Sequence, residues 1–175
     1  IPVTVKHRLG VDDVDSEADL AHFVDVVSRA PADRFIVHAR KALLQGLTPK
    51  QNREVPPLRY DVVRRLKEAR PELLIEINGG ITTLQQAEEL LQTPDTSTTL
   101  TTAGIDGVMI GRAARDDPWI FADADRRLYG EPRNPCRTRE EAVRSLLPYA
   151  EKLLIKGQPL HRLTRHMHGA LAVSI

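Results

Sequence analysis

Short, β-branched apolar segments recur along the chain at an even pace, and each ends in polar residues or glycine. PVTVKH (2–7), RFIVHA (34–39), LLIEING (73–79) and DGVMIG (106–111) have the length and composition of strands, with starts 32 to 39 residues apart. Between them the apolar period changes to that of a helix. Ser16-Glu17-Ala18-Asp19 opens one, with Leu20, Phe23, Val24 and Val27 at helical spacing. Asp61 precedes VVRRLKEA, whose Val62, Val63 and Leu66 form a stripe, and Thr82 with Gln85 makes a capping box ahead of Leu84, Ala87, Leu90 and Leu91. Pro118 suits the first turn of a fourth helix running through Ile120, Phe121 and Leu128 to Gly130.

Four strand–helix units in series predict an α/β fold with a parallel sheet. A doubly wound open sheet would carry a glycine-rich loop after its first strand, and none is present. Instead polar residues gather after every strand, which favours a (β/α)8 TIM barrel. Such a barrel needs about 250 residues, so residues 1–130 are expected to be its carboxyl-terminal half. The opening IPVTVKHRLG already reads as a strand, and an amino-terminal part is expected to precede it.

Two connections are long. LTPKQNREVPPLRY (47–60) is rich in proline and polar residues, as functional loops above barrels often are. QTPDTSTTLTTAG (92–104) is threonine-rich and is expected to be an exposed insertion with no chemical role. After residue 130 the strand pattern stops. Thr138-Arg139-Glu140-Glu141 is another capping box, followed by an apolar face of Ala142, Leu146, Leu147, Ala150, Leu153 and Leu154 that Pro148 should kink or split. Gly157-Gln158-Pro159 ends it, and LHRLTRHMHGALAV begins another helix, so 131–175 is expected to start an all-helical domain.

Composition changes this picture only in part. With 41% hydrophobic and 28% charged residues the chain is a folding one, and it has no apolar run of about 20 residues to span a bilayer. Cys136 is the lone cysteine, so no internal disulfide can form and a reducing, cytoplasmic setting is expected. Charge is uneven: residues 1–130 carry 17 Lys/Arg against 20 Asp/Glu, and residues 131–175 carry 8 against 4. A basic tail on a mildly acidic body is compatible with a nucleic-acid partner, and equally with chance.

The candidate chemistry lies at the strand ends. Asn78-Gly79-Gly80 and Gly111-Arg112 follow the third and fourth strands, where glycines let backbone N–H groups approach an anion and Arg112 adds a forked cation. Sharp turns alone would also explain those glycines. Lys6, if it points into a barrel mouth, suits the electron-accepting edge of a flavin; otherwise it stays solvated by snorkelling. His38 can donate to a phosphate or ring oxygen, or be structural. Arg40 and Lys41 are expected on the rim, facing a polyanion. Lys50, Asn52 and Arg53 of the long loop, and Arg162 and Arg165 of the tail, are candidates for a nucleic-acid backbone, or ordinary surface charges. His161 and His168 are seven apart with no carboxylate following, so no metal is expected.

PVTVKHRLGVDD, FIVHARKALLQGLTPKQNREVPPLRYDVVRRLK, INGGI and DGVMIGRAARDDPWIF resemble the tRNA-dihydrouridine synthase family, in its DusA-type branch, over nearly the whole chain. The resemblance implies an FMN-binding barrel followed by a helical domain, with NADPH reducing the flavin and the flavin reducing particular uridines of tRNA to 5,6-dihydrouridine. It implies that Lys6 and His38 contact the flavin. Asn78, Gly79, Gly80, Gly111 and Arg112 would hold its phosphate, while Lys50, Arg53 and Arg165 lie in tRNA-contacting regions. The family's proton-donating cysteine is expected upstream of Ile1, not at Cys136, so no catalytic residue is assigned within the chain and the chain alone is expected to be inactive. The complete protein is expected to be monomeric. An FMN barrel acting on a small molecule would need no basic tail, and a non-catalytic nucleic-acid-binding module would carry no yellow cofactor.

Overall fold

The computed structural model describes residues 1–92, 104–165, 167 and 169. The threonine-rich stretch 93–103, with the insertion expected there, lies outside the described residues, as do His166, His168 and Leu171. The chain packs as two units: 1–81 with 85–110, and 82–84 with 111–175. The described residues of 131–175 fall within the second unit, which also takes in 111–130.

The first unit alternates β1 (Val3–Arg8), α1 (Glu17–Val27), β2 (Ala32–His38), α2 (Tyr60–Ala69), β3 (Leu74–Asn78), α3 (Leu84–Gln92, all but its first residue) and β4 (Gly107–Met109). Its four strands are parallel and lie in sequence order, β1-β2-β3-β4. Parallel crossovers are right-handed, and an order without reversal places every connecting helix on the same face. That face is dry: Phe35, Val37, Ile75 and Ile77 are fully buried against Leu20 and Val24 of α1, Val62, Val63 and Leu66 of α2, and Ala87 of α3. Each such side chain contributes about 1.5–3 kcal/mol of burial free energy. A doubly wound sheet, whose order must reverse at a switch point, is excluded for these strands.

The opposite face carries different chemistry. The register aligns Lys6 with Ile36, Glu76 and Gly107, and one layer further along Arg8 with His38, Asn78 and Met109. Side chains at matched positions of a parallel sheet share a face, so this row stands opposite the core. Arg34 pairs with Glu76 on it. A Cβ at Gly107 would come within 2.9 Å of Glu76 Cγ, so the glycine makes room for that carboxylate. Val3 is 52% exposed, because β1 is the edge strand of the described sheet.

Local signals set most boundaries. Ser16 Oγ accepts from the Asp19 N–H (3.1 Å) while Asp19 Oδ2 accepts from the Ser16 N–H (3.2 Å), a complete capping box. α2 begins at Tyr60, so Asp61 lies in its first turn, where a carboxylate favours the dipole without capping. α3 begins at Leu84, one residue later than a cap at Thr82 would put it.

The second unit holds α4 (Arg112–Asp116), a 3₁₀ turn at Pro118–Phe121, α5 (Ala124–Tyr129), α6 (Arg139–Ser145), α7 (Leu147–Ile155) and α8 (His161–Thr164). The single helix expected from Pro118 to Gly130 is broken at Ala122–Asp123. There the Asp123 carboxylate accepts from Arg126 (2.6 Å) and Asn134. Gly130, at φ 70°, ends α5 in the left-handed conformation. Thr138 Oγ1 caps α6 by accepting from the Glu141 N–H (3.1 Å), but Glu141 reaches back to the Arg137 N–H (2.6 Å), not to the cap itself. Pro148 splits α6 from α7 as expected, since proline fits only a first turn. Of the apolar face expected along these helices, Ala150 is buried whereas Leu147 and Leu154 stay more than half exposed. The helix expected from Leu160 is four residues long, His161–Thr164, among the described residues. None of the described helices is long and apolar enough to cross a membrane.

One buried and one half-buried polar group give this fold measurable signatures. Lys67 Nζ donates to the carbonyls of Pro71 (3.0 Å) and Leu73 (2.8 Å) and pairs with Asp106 (2.9 Å), tying α2 to the starts of β3 and β4. Lys67→Met should lower the unfolding free energy in urea by about 2–3 kcal/mol, below the 3–5 typical of a fully buried pair, because Asp106 keeps 24% of its side-chain exposure; a change under about 0.5 kcal/mol would contradict this role. His7 packs its ring against Phe23 (4.9 Å) and Phe35 (6.0 Å). Burial holds its imidazole below the ordinary 6.5, a bond to the Arg8 carbonyl opposes this, and the Lys6 charge adds to the lowering. Between the lowered value and 6.5 the unfolded chain binds the extra proton, so His7 makes stability fall as pH falls through that window. His7→Phe should flatten this part of the stability–pH curve, and an unchanged slope would show that His7 does not titrate in it.

Candidate functional site at the carboxyl ends of the strands

Parallel strands deliver their carboxyl ends to one rim, and here that rim is polar. Lys6 and Arg8 come from β1, His38 from the end of β2 and Asn78 from the end of β3, all on the face away from the core. Two residues along and one strand across put the Cα atoms of Lys6 and His38 about 8 Å apart. Partial burial, and then the neighbouring Arg8 charge, lower the proton affinity of Lys6. A negative group placed against this lysine would favour its charged form and so oppose this lowering.

The turn after Asn78 is built for close approach. Gly79 sits at φ 118° and Gly80 at φ 71°, conformations that L side chains rarely adopt. A Cβ on Gly79 would lie 3.0 Å from Leu58 Cδ2 and 3.4 Å from the His38 imidazole, and one on Gly80 only 2.7 Å from Leu58 Cδ1. Tyr60 donates its hydroxyl to the Gly79 carbonyl, and burial raises the pKa of that phenol, with Arg40 opposing. Asn78 is buried, and its amide donates to the Met109 carbonyl (2.8 Å), bracing β3 against β4. That bond uses one of the two N–H donors of the Asn78 side chain inside the fold.

The long loop covers this rim, and its candidates divide. Arg40, expected to face outward, is 9% exposed; its guanidinium turns inward because it donates to the carbonyls of Arg53 (3.0 Å) and Pro56 (3.0 Å). Lys41 Nζ donates to the Asp12 carbonyl (3.0 Å) and pairs with Asp15 (3.2 Å), so it links the loops after β1 and β2 and is only partly exposed. Asn52 exchanges two hydrogen bonds with the Leu43 backbone, 2.8 and 2.6 Å, which occupies both ends of its amide. Lys50 and Arg53 are exposed.

The remaining candidates belong to the second unit. Gly111 has φ −103° and is the residue before α4, with open space where a Cβ would sit, so a turn or close contact does not require glycine there. Arg112 is exposed at the first position of that helix. Arg162 donates to Gln158, and Arg165 follows α8; both are exposed. Cys136 is half-buried between α5 and α6. Among the described residues no group of three His, Cys, Asp or Glu could hold a metal.

Leu58 and Tyr60 contribute to the rim without having been singled out by pattern, whereas Arg8 is among the polar residues expected after the first strand. Arg8 is part of KHR beside Lys6, and its alternation with Lys6 was the available signal; Leu58 and Tyr60 act through contacts with the 79–80 turn, which no local spacing encodes.

The pattern of the dihydrouridine synthase (Dus) family matches residues 1–173. The chain is 49% identical over 167 residues to the tRNA-dihydrouridine(20/20a) synthase of Synechocystis sp., which covers 95% of this chain and 46% of that protein. It is 47% identical over 169 residues to the proteins of the same name from Pseudomonas syringae and Shewanella oneidensis, covering 97% of the chain and 47% of each relative. The chain thus spans about half the length of the curated relatives it matches.

The glycine turn is open to a direct test. Gly79→Ala should cost about 1–3 kcal/mol in urea unfolding, because φ 118° is all but closed to alanine. Adding Leu58→Ala should remove the steric contact and leave that cost in place; recovery of full stability would locate the constraint in packing instead of backbone conformation.

Proposed function

The chain belongs to the dihydrouridine synthase family, and from that premise we propose that it supplies the flavin-holding part of an enzyme that reduces uridines of tRNA to 5,6-dihydrouridine. The four-stranded sheet is then half of a (β/α)8 barrel, its polar face is the barrel interior, and 131–175 begins a helical tRNA-binding domain. The names of the relatives point to uridines 20 and 20a as the targets and to the DusA-type branch.

One observation carries the reading: Lys6, His38 and the Gly79–Gly80 turn share one face and one end of a parallel sheet. This set fits FMN. Lys6 is a compact cation that gains from added negative charge, as a flavin acquires at its pyrimidine edge on reduction. His38, whose ring lies against Gly79, donates toward a phosphate or ring oxygen. The 79–80 turn has positive φ at both glycines and leaves no room for a Cβ beside Leu58, the kind of tight glycine turn that phosphate cradles use. Arg112, exposed at the start of α4, is a separate candidate for meeting an anion. When bound, the flavin passes reducing equivalents from NADPH to the uracil ring. The chain's own residues hold and polarise the cofactor, while proton donation falls to a cysteine outside the chain.

The polyanionic substrate falls to the exposed cations. Lys50, Arg53, Arg162 and Arg165 contact the tRNA backbone, and Lys41 contributes from the edge of the same loop. Their contacts offset the few kcal/mol lost when the target base leaves its stack.

The complete protein should purify yellow, with stoichiometric FMN, and form dihydrouridine in unmodified tRNA when supplied with NADPH. Lys6→Met should reduce the rate about 10²-fold, as loss of one preorganised charge partner does, with folding retained. A colourless protein without uridine reduction would reject the proposal.

A further inference from the structure

The two guanidiniums at the ends of β1 and β2 are spent on the backbone of the long loop. Arg40 donates from Nε to the Arg53 carbonyl and from Nη1 to the Pro56 carbonyl, each at 3.0 Å. Arg8 donates from Nη1 to the carbonyls of Lys41 (2.8 Å) and Asn52 (2.7 Å). Asn52 and Arg53 are consecutive, so cations from neighbouring strands grip adjacent peptide units. Asn52 fastens the same point to Leu43, and the Arg59 N–H closes the far end on the Ala39 carbonyl (2.8 Å).

This arrangement works against simple electrostatics. Burial, then the charges of Arg40 and Arg53, lower the proton affinity of Arg8. Neutral donors would tie a loop down without gathering three like charges. What a guanidinium adds is a rigid planar fork that fixes two acceptors relative to each other, which an ammonium cannot do. The fixed segment is the one whose outer side chains, Lys50 and Arg53, are exposed.

We propose that Arg8 and Arg40 are positioning residues for the substrate polyanion. They touch no phosphate themselves, and they hold the 47–59 loop so that Lys50 and Arg53 meet the tRNA backbone together. This rests on the tRNA reading above. The binding contribution of Lys50 and Arg53 then depends on Arg40, although neither of their side chains contacts it as a substrate group.

The complete protein, assayed with unmodified tRNA, separates positioning from direct contact. Arg40→Gln should raise KM for tRNA about tenfold, the scale of losing charged hydrogen bonds, with a smaller effect on kcat. Arg40→Lys, which keeps the charge and loses the fork, should behave like Arg40→Gln. Lys50→Ala combined with Arg53→Ala should cost much less in the Arg40→Gln background than in the wild type, since coupled residues are non-additive. A direct phosphate contact predicts rescue by lysine, additive losses, and a salt dependence weakened by about 0.7–0.9 in log–log slope; any of these would overturn the proposal.

Trypsin cleavage after Lys50 and Arg53, without tRNA, reads the clamp alone. Arg40→Gln should speed cleavage at these two sites about tenfold through local opening while the thermal midpoint changes little. Unchanged cleavage would overturn the proposal even if tRNA reduction stands. A wild-type protein that binds no tRNA would remove the functional reading and the positioning role with it, a result distinct from unchanged cleavage. Should Arg40→Gln not fold, Arg8→Lys releases the adjacent peptide and must give the same pattern.

Discussion

Right-handed crossovers between parallel strands in unbroken order are the constraint from which the first unit follows. Because β1 to β4 never reverse, α1, α2 and α3 all pack on one face, and the apolar residues of every strand must point there. The alternate residues are then free of the demands of that core, and they carry Lys6, Arg8, Arg34, His38, Glu76 and Asn78. A polar row on one side of a buried sheet is thus the direct consequence of winding, and its chemistry is set by what the row must hold.

Polar groups on this row are not uniform in purpose. Arg34 with Glu76 fills space in the deeper layer, with Gly107 giving way to them. Asn78 braces two strands. At the rim the geometry changes: Gly79 and Gly80 take positive φ, Gly79 buried under Leu58 and Gly80 exposed, and Lys6 lacks a carboxylate partner among the ion pairs of the described residues. Above them the long loop is tethered by Arg8, Arg40 and Asn52, so its exposed cations are presented by a structured scaffold and not by a slack tether. Depth in the sheet therefore divides stability from recognition, the usual division at the two ends of parallel α/β units.

Much of this was legible in the sequence, for identifiable reasons. Short β-branched apolar segments bounded by polar residues or glycine located all four strands, and their polar ends put Lys6, His38, Asn78, Gly79 and Gly80 at one end of the sheet, because parallel strands share a direction. The capping residues Ser16 and Thr138 and the splitting Pro148 were equally plain. What escaped were bonds between a side chain and a distant backbone. Arg40 reads as a rim cation because nothing near it in sequence announces acceptors 13 and 16 residues away. Asn52 folding onto Leu43, and Tyr60 onto Gly79, have the same character. Glycine at position 111 looked like position 79, yet only the latter has a backbone that glycine alone tolerates.

The most direct measurement is the location of bound FMN in a crystal structure of the complete protein. Phosphate density against Gly79–Gly80, with the ring system lying over Lys6 and His38 on the side of the sheet away from Phe35 and Ile75, is the predicted result. Flavin density among α1, α2 and α3, or at the amino ends of the strands, would contradict the account.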